Sequence, residues 1–227
     1  MSSGNSGDNH HLVARLEAFS DIVIGFSLAE TTVNLVVTKG LANYFAHPLG
    51  IIAYLGTFFI VARLWWAHSN IMHRYFELNR VMIAVNFIAL AAIGLMVFSL
   101  QLLLHQDSND SAEFMLAVRF YFVTFTAAFG SIAVMRLLGV QYRWAHLRPE
   151  ERRDGTSRSL TTLAVCVPVI VAALLPSSTV LFGFDVQVVP ANMFFAFLAG
   201  GILSAIVKRI FKKTTWGLDA TNAAHAG

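Results

Sequence analysis

Three ionisable side chains, Asp21, Glu30 and Arg63, lie inside long apolar stretches of this sequence. A charge at bilayer depth is costly, and it is retained where it pairs, lines a water-filled path or moves an ion. Two chemistries follow. Arg63 paired with either acid would lock two helices together. An acid left unpaired would face water and attract a cation or carry a proton. Residues 21 and 30 are about 13 Å apart along a helix, so the acids sit at different depths, and depth alone does not choose the partner of Arg63. Other chemistries have no footing. There is no Gly-rich phosphate loop, no His-Glu-x-x-His, and a single cysteine, Cys166. His68 and His73 would project about 140° apart on a helix, which rules out a shared metal. The chain is expected to be no enzyme and to use no cofactor.

The elements that position these groups are apolar blocks. Of the 227 residues, 56% are hydrophobic and 13% charged, against roughly a quarter charged in soluble domains. Six blocks, at 18–38, 49–67, 81–104, 114–138, 160–182 and 190–207, approach the length of about 20 residues that crosses a bilayer. Only helices or closed barrels satisfy the backbone in hydrocarbon, and the polar–apolar alternation of barrel strands is missing. The expected fold is all-α, a polytopic membrane protein with six transmembrane helices. Residues 1–14 read as a disordered tail without the basic and apolar regions of a cleaved signal peptide. Residues 15–213 read as the membrane domain and 214–227 as a C-terminal tail.

Charge orients the blocks. Arg74, Arg80, Arg143, Arg148, Arg152, Arg153, Arg158, Lys208, Arg209, Lys212 and Lys213 fall on one side, and Lys39, Asp107, Asp110, Glu113 and Asp185 on the other. Short basic loops stay in the cytoplasm, so both termini are expected inside a multi-pass protein of the cell membrane. The net charge of +3 then belongs to these edges, with no nucleic-acid partner, and 143–158 reads as a solvated loop. Pro48 and Pro190 mark helix starts, and Asp110 with Glu113 resembles a capping box. Pro168 and Pro176 predict a bend or a shortening in the fifth block. Gly200-Gly201 predicts close helix contact, and Trp65 with Trp66 fits an interfacial belt.

In the first block Ser20, Ser27, Glu30, Thr31, Asn34 and Thr38 share an arc of about 100°. Such a stripe lines water, or its hydroxyls bond neighbouring helices. One chain of six helices has little room for an aqueous path, so pore lining, the preferred reading, calls for symmetric assembly.

The run Arg15-Leu-Glu-Ala-Phe19-Ser20-Asp21 resembles the signature that opens the first helix of the transmembrane protein 175 family. Trp65-x-x-His68 and Asn86-Phe-Ile-Ala-Leu90 follow in the family's order. The family comprises potassium-permeable channels whose bacterial members have six helices per chain and form tetramers. By that resemblance helix one lines the pore, Phe26 forms its narrowest ring, and Ala29, Glu30 and Val33 face it. Arg15, Phe19, Ser20, Asp21, Arg63, Trp65, His68 and Asn86 are expected in a gating or structural network at the cytoplasmic end. Phe26 replaces the family's usual Ile, and Leu28-Ala-Glu-Thr-Thr-Val33 replaces an aliphatic run. The implied function is a homotetrameric cation channel among membrane lipids, with potassium ions as the permeant species. The alternatives are a proton channel or proton-coupled transporter using Glu30, and a non-conducting scaffold.

Overall fold

The computed structural model describes residues 5–46, 49–105, 111–174 and 196–211, all helical but for two short connections. The helices are α1 (Asn5–Ala46), α2 (Leu49–Arg74), α3 (Arg80–His105), α4 (Ser111–Tyr142) and α5 (Pro149–Leu174). Residues 196–211 form α6. There is no strand among the described residues. Three stretches, Arg80–Leu103, Glu113–Tyr142 and Pro149–Leu174, are long and apolar enough to cross a membrane by length and composition. In α1 the acids and hydroxyls dilute the apolar content.

Two helices begin well before their apolar blocks. Helix α1 starts at Asn5, within the segment read as a tail. Helix α5 starts at Pro149, which corrects the reading of 143–158 as a loop. The cause is local. Pro149 suits the first helical position, and Glu150 and Glu151 favour the positive end of the helix dipole. Glu151 also reaches back to accept the Arg148 N–H at 3.0 Å, half of a capping box. One turn on, Arg158 Nε donates to Asp154 at 2.7 Å. Helix α5 continues past Pro168 to Leu174. Lys39, read as a loop residue, falls within α1. Pro48, Asp110, Pro176, Pro190 and the tail 214–227 lie outside the described residues.

Helix α3 packs between α1 and α4, and α5 packs on the far side of α4. Val61, Ile71, Met82, Ile93, Met96 and Met135 are fully buried at the centre. A second cluster joins α4, α5 and α6 through Val118, Val169 and Ala196. Phe197 of α6 lies edge-on to Phe122 and Phe125 at 5.7 and 5.9 Å between ring centres. Lipid is as apolar as leucine, so helices in it associate through close packing and polar bonds rather than through exclusion of water. Both devices occur. Ser99 of α3 and Thr124 of α4 share a buried hydrogen bond of 2.8 Å. Gly200 lets α6 approach α5, where an added Cβ would stand 2.9 Å from Val165 Cα, while Gly201 faces open space. Gly139 and Gly155 admit Tyr75 from the α2–α3 connection. That connection ends at Asn79, whose side chain accepts the Met82 N–H at 2.8 Å and caps α3.

Gly139 gives a direct test of this packing. A Cβ there would lie 2.6 Å from the Tyr75 backbone oxygen, whereas one at Gly130 meets nothing within 4 Å. Gly139→Ala is expected to destabilise by about 1–3 kcal/mol, read as a lower melting temperature of the detergent-solubilised protein. Gly130→Ala is expected to be neutral or to stabilise by up to about 1 kcal/mol. Equal melting of the two variants contradicts the close approach.

Candidate functional site

Ser20, His68 and Asn86 are all fully buried, one each from α1, α2 and α3. They form a chain of hydrogen bonds whose direction is fixed by its ends. The Ser20 hydroxyl donates to the Leu16 carbonyl at 2.8 Å. It can then accept from Asn86 Nδ2 at 3.4 Å. That sets the amide so that Asn86 Oδ1 accepts from His68 Nε2 at 2.6 Å. Nε2 therefore carries the imidazole proton. The other ring nitrogen, Nδ1, is buried without a partner among the described residues, so a second proton there would have no acceptor. Three helices are thus tied at one point by groups that hydrocarbon could not satisfy.

Around this point lie weaker, more exposed contacts. Trp65 Nε1 donates to Asp21 Oδ1 at 2.7 Å, joining α2 to α1. Glu17, one turn before Asp21, approaches His73 Nδ1 at 3.2 Å and accepts from the Ser69 hydroxyl at 3.3 Å. Glu17, Ser69 and His73 escaped the sequence reading. The available signal was the spacing of Glu17 and Ser20, which places both on the inward side of α1. Phe19 stands edge-on to Phe87 of α3, with 6.0 Å between ring centres.

The expected network is therefore assembled in part. Ser20, His68 and Asn86 are bonded together, and Asp21 with Trp65 forms a separate pair. Arg15 is exposed and joins neither. Arg63 is also exposed, and among the described residues no ion pair links it to Asp21 or Glu30, so it does not lock helices one and two. It lines a cavity with Trp66, Arg136 and Arg158 instead. The polar arc of the first block divides as well. Ser20 is buried, and Ser27 faces α3 at Gly94, where an added Cβ would lie 3.8 Å from its hydroxyl. These two hydroxyls pack between helices, which overturns pore lining for them. The side chains of Thr31, Asn34 and Thr38 lie outside the described residues.

Beyond the contact of Phe19 with Phe87, the opposite side of α1 is uncovered by the described residues of its own chain. Phe19, Ile22, Phe26 and Val33 are exposed, Phe26 at 75% the most of any large apolar side chain among the described residues. Ala29 and Glu30 are exposed beside them. Phe19, Ile22, Phe26, Ala29 and Val33 recur at spacings of three and four, and with Glu30 they span an arc of about 100°.

The residues of the three-helix junction lie in one continuous stretch of chain that can be compared with known families. Residues 15–96 match the family model of the endosomal/lysosomal potassium channel TMEM175. The resemblance carried by Arg15, Phe19, Ser20, Asp21, Trp65, His68 and Asn86 is thereby confirmed over that segment. The TMEM175 match covers α1 from its motif onward, all of α2 and α3 as far as Met96. Helices α4 to α6 lie beyond it. No curated protein and no solved structure matches the chain. The apolar helices and the channel-family segment together make this a membrane protein.

Asn86 is the hinge of the bonded chain, since it both accepts and donates. Asn86→Ala strands the His68 N–H and removes the donor to Ser20, at a cost of about 1–3 kcal/mol for each buried group left unsatisfied. Asp21→Ala releases only the half-exposed Trp65 N–H. Melting curves in detergent are expected to show the larger loss for Asn86→Ala. The reverse order would move the structural anchor to Asp21.

Proposed function

We propose that this chain is one subunit of a homotetrameric, potassium-permeable cation channel in which the exposed face of α1 lines the pore. The observation that carries the reading is the composition of that face. Lipid can cover Ile22, Phe26, Ala29 and Val33, but a carboxylate among hydrocarbon tails is costly. Glu30 lies in the same arc, so the face needs water or protein against it. A repeat of three and four is the spacing with which helices pack on copies of themselves. Symmetric assembly around α1 provides both conditions, with side chains covered by neighbours and a water-filled axis for the acids. The TMEM175 match over residues 15–96 supports a channel and potassium as its ion.

Six crossings with both termini in the cytoplasm complete the proposal. The α2–α3 and α4–α5 connections lie at one end of the bundle, and Arg74, Arg80, Arg143 and Arg148 gather there, as cytoplasmic loops do. Ions pass down their gradient through rings of Phe26 and Val33, an apolar constriction that closes by dewetting. A ring of Glu30 beside Ala29 favours cations over anions. No covalent step is involved.

Assembly is tested by Phe26→Cys in a Cys166→Ser background. Oxidation is expected to link subunits through residue 26, while cysteine at the inward Ile24 stays uncrosslinked. A monomer in both mild detergent and lipid overturns the proposal. Selectivity is tested by Glu30→Gln, recorded in planar bilayers under a potassium chloride gradient. The reversal potential is expected to move toward that of chloride. A wild-type reversal potential that follows the proton gradient would replace potassium with protons as the permeant ion.

A further inference from the structure

At the end of the bundle where α2 turns into α3 and α4 into α5, a cavity of ≈ 420 Å³ opens among α2, α4, α5 and α6. Its charged lining is Arg63, Arg136, Arg158 and Lys208 against the single acid Asp154. Asp154 is already engaged by Arg158 at 2.7 Å. Among the described residues no carboxylate pairs with Arg63, Arg136 or Lys208. Arg136 feels Arg158 and Arg63 as like charges and Asp154 as an opposite one. Cations from four helices converge on one recess against their mutual repulsion, which is the arrangement an anion completes. Neutral donors stand with them. Asn70 and Ser157 face the same space, whereas the Thr161 and Thr162 hydroxyls are spent on carbonyls of their own helix.

The chemistry of the donors selects the anion. Guanidinium groups match the oxygens of phosphate in paired, charge-assisted hydrogen bonds, and an ammonium adds a mobile point charge. The depth selects where the phosphate would sit. Trp66 borders the cavity and is 62% exposed, as tryptophans at the headgroup level are. Basic recesses between spanning helices at that level hold anionic headgroups. We infer that this cavity binds a phosphate-bearing anion, supplied either by a lipid headgroup in the adjoining leaflet or by soluble phosphate. The site is separate from the α1 face; its α4, α5 and α6 residues lie outside the segment matched to the channel family, while Arg63, Trp66 and Asn70 of α2 lie inside it.

The test uses full-length protein in phosphatidylcholine nanodiscs, titrated with short-chain phosphatidic acid, with matched short-chain phosphatidylcholine and with inorganic phosphate. Binding is read from the melting temperature and from adducts in native mass spectrometry. Phosphatidic acid is expected to bind saturably, and the neutral lipid is not. Each removed cation is expected to weaken binding about fivefold, so Arg63→Gln with Lys208→Gln weakens it about twenty-five-fold. Arg80→Gln, at the same end but outside the cavity, leaves it unchanged. Asp154→Asn removes the one acid, frees Arg158 and is expected to tighten binding about fivefold, an outcome that does not depend on the double variant folding. Inorganic phosphate binding as tightly as the lipid assigns the site to soluble phosphate, and binding of phosphatidic acid alone assigns it to a headgroup. Failure of both to bind overturns the inference. So does a double variant indistinguishable from Arg80→Gln, or an Asp154→Asn protein that binds no tighter.

Discussion

The geometry of this protein hangs on the hydrogen-bonded chain from Leu16 through Ser20 and Asn86 to His68. In water, any of these groups could exchange a protein partner for solvent at little cost. Between helices in hydrocarbon they cannot, and one another is what they have. The chain fixes more than the contact of α1 with α2 and α3, because it fixes which way α1 is turned. Phe26 lies about 120° around the helix from Ser20, and Ala29 about 180°. With Ser20 held inward, Phe26 and Ala29 are held outward. Slipping α1 by one residue would turn it through about 100°, withdraw Ser20 from Asn86 and carry Phe26 toward the bundle.

That dependence explains how much of the site was legible in the sequence. Ser20, His68 and Asn86 stand out because small polar side chains in apolar blocks need partners, and their order along the chain matches a known family. Rotation of α1 was less legible. Periodicity located a polar arc on it but carried no sign of which side meets the rest of the chain. The Ser20 hydroxyl turned out to link helices, and that of Ser27 to pack toward α3 while donating to the Val23 carbonyl of its own helix. Arg63 misled for a related reason. Pairing it with Asp21 or Glu30 assumed that charges at bilayer depth find one another, whereas the side chain lines a cavity with residues of α4 and α5.

Helix lengths show a second limit. Apolar content finds the part of a helix that hydrocarbon contacts, and α3, which is apolar almost throughout, was placed to within a residue at each end. Where a helix extends beyond the apolar layer it has no hydropathy signature, and the start of α5 is written instead in Pro149, Glu150 and Glu151. That start matters for the basic cavity. Had 149–158 been a loop, Asp154, Ser157 and Arg158 would have no fixed positions. As a helix, the segment brings Ser157, Arg158 and Thr161 to one side, facing Arg63 and Arg136.

The polar bonds at the junction contribute specificity more than stability. A hydrogen bond between membrane helices is worth about 0.6 kcal/mol on average, because helices separated in the membrane also find partners. Leaving a buried group unsatisfied costs about 1–3 kcal/mol. The gain from forming the chain is therefore small, and the penalty for any arrangement that breaks it is larger. Stability comes from contacts that tolerate rotation poorly but do not choose it alone, such as Gly139 and Gly155 against Tyr75. The three buried polar residues choose it. The exposed face of α1 then follows without a designed interaction of its own: Phe26, Ala29, Glu30 and Val33 are on the outside because Ser20 has to be on the inside.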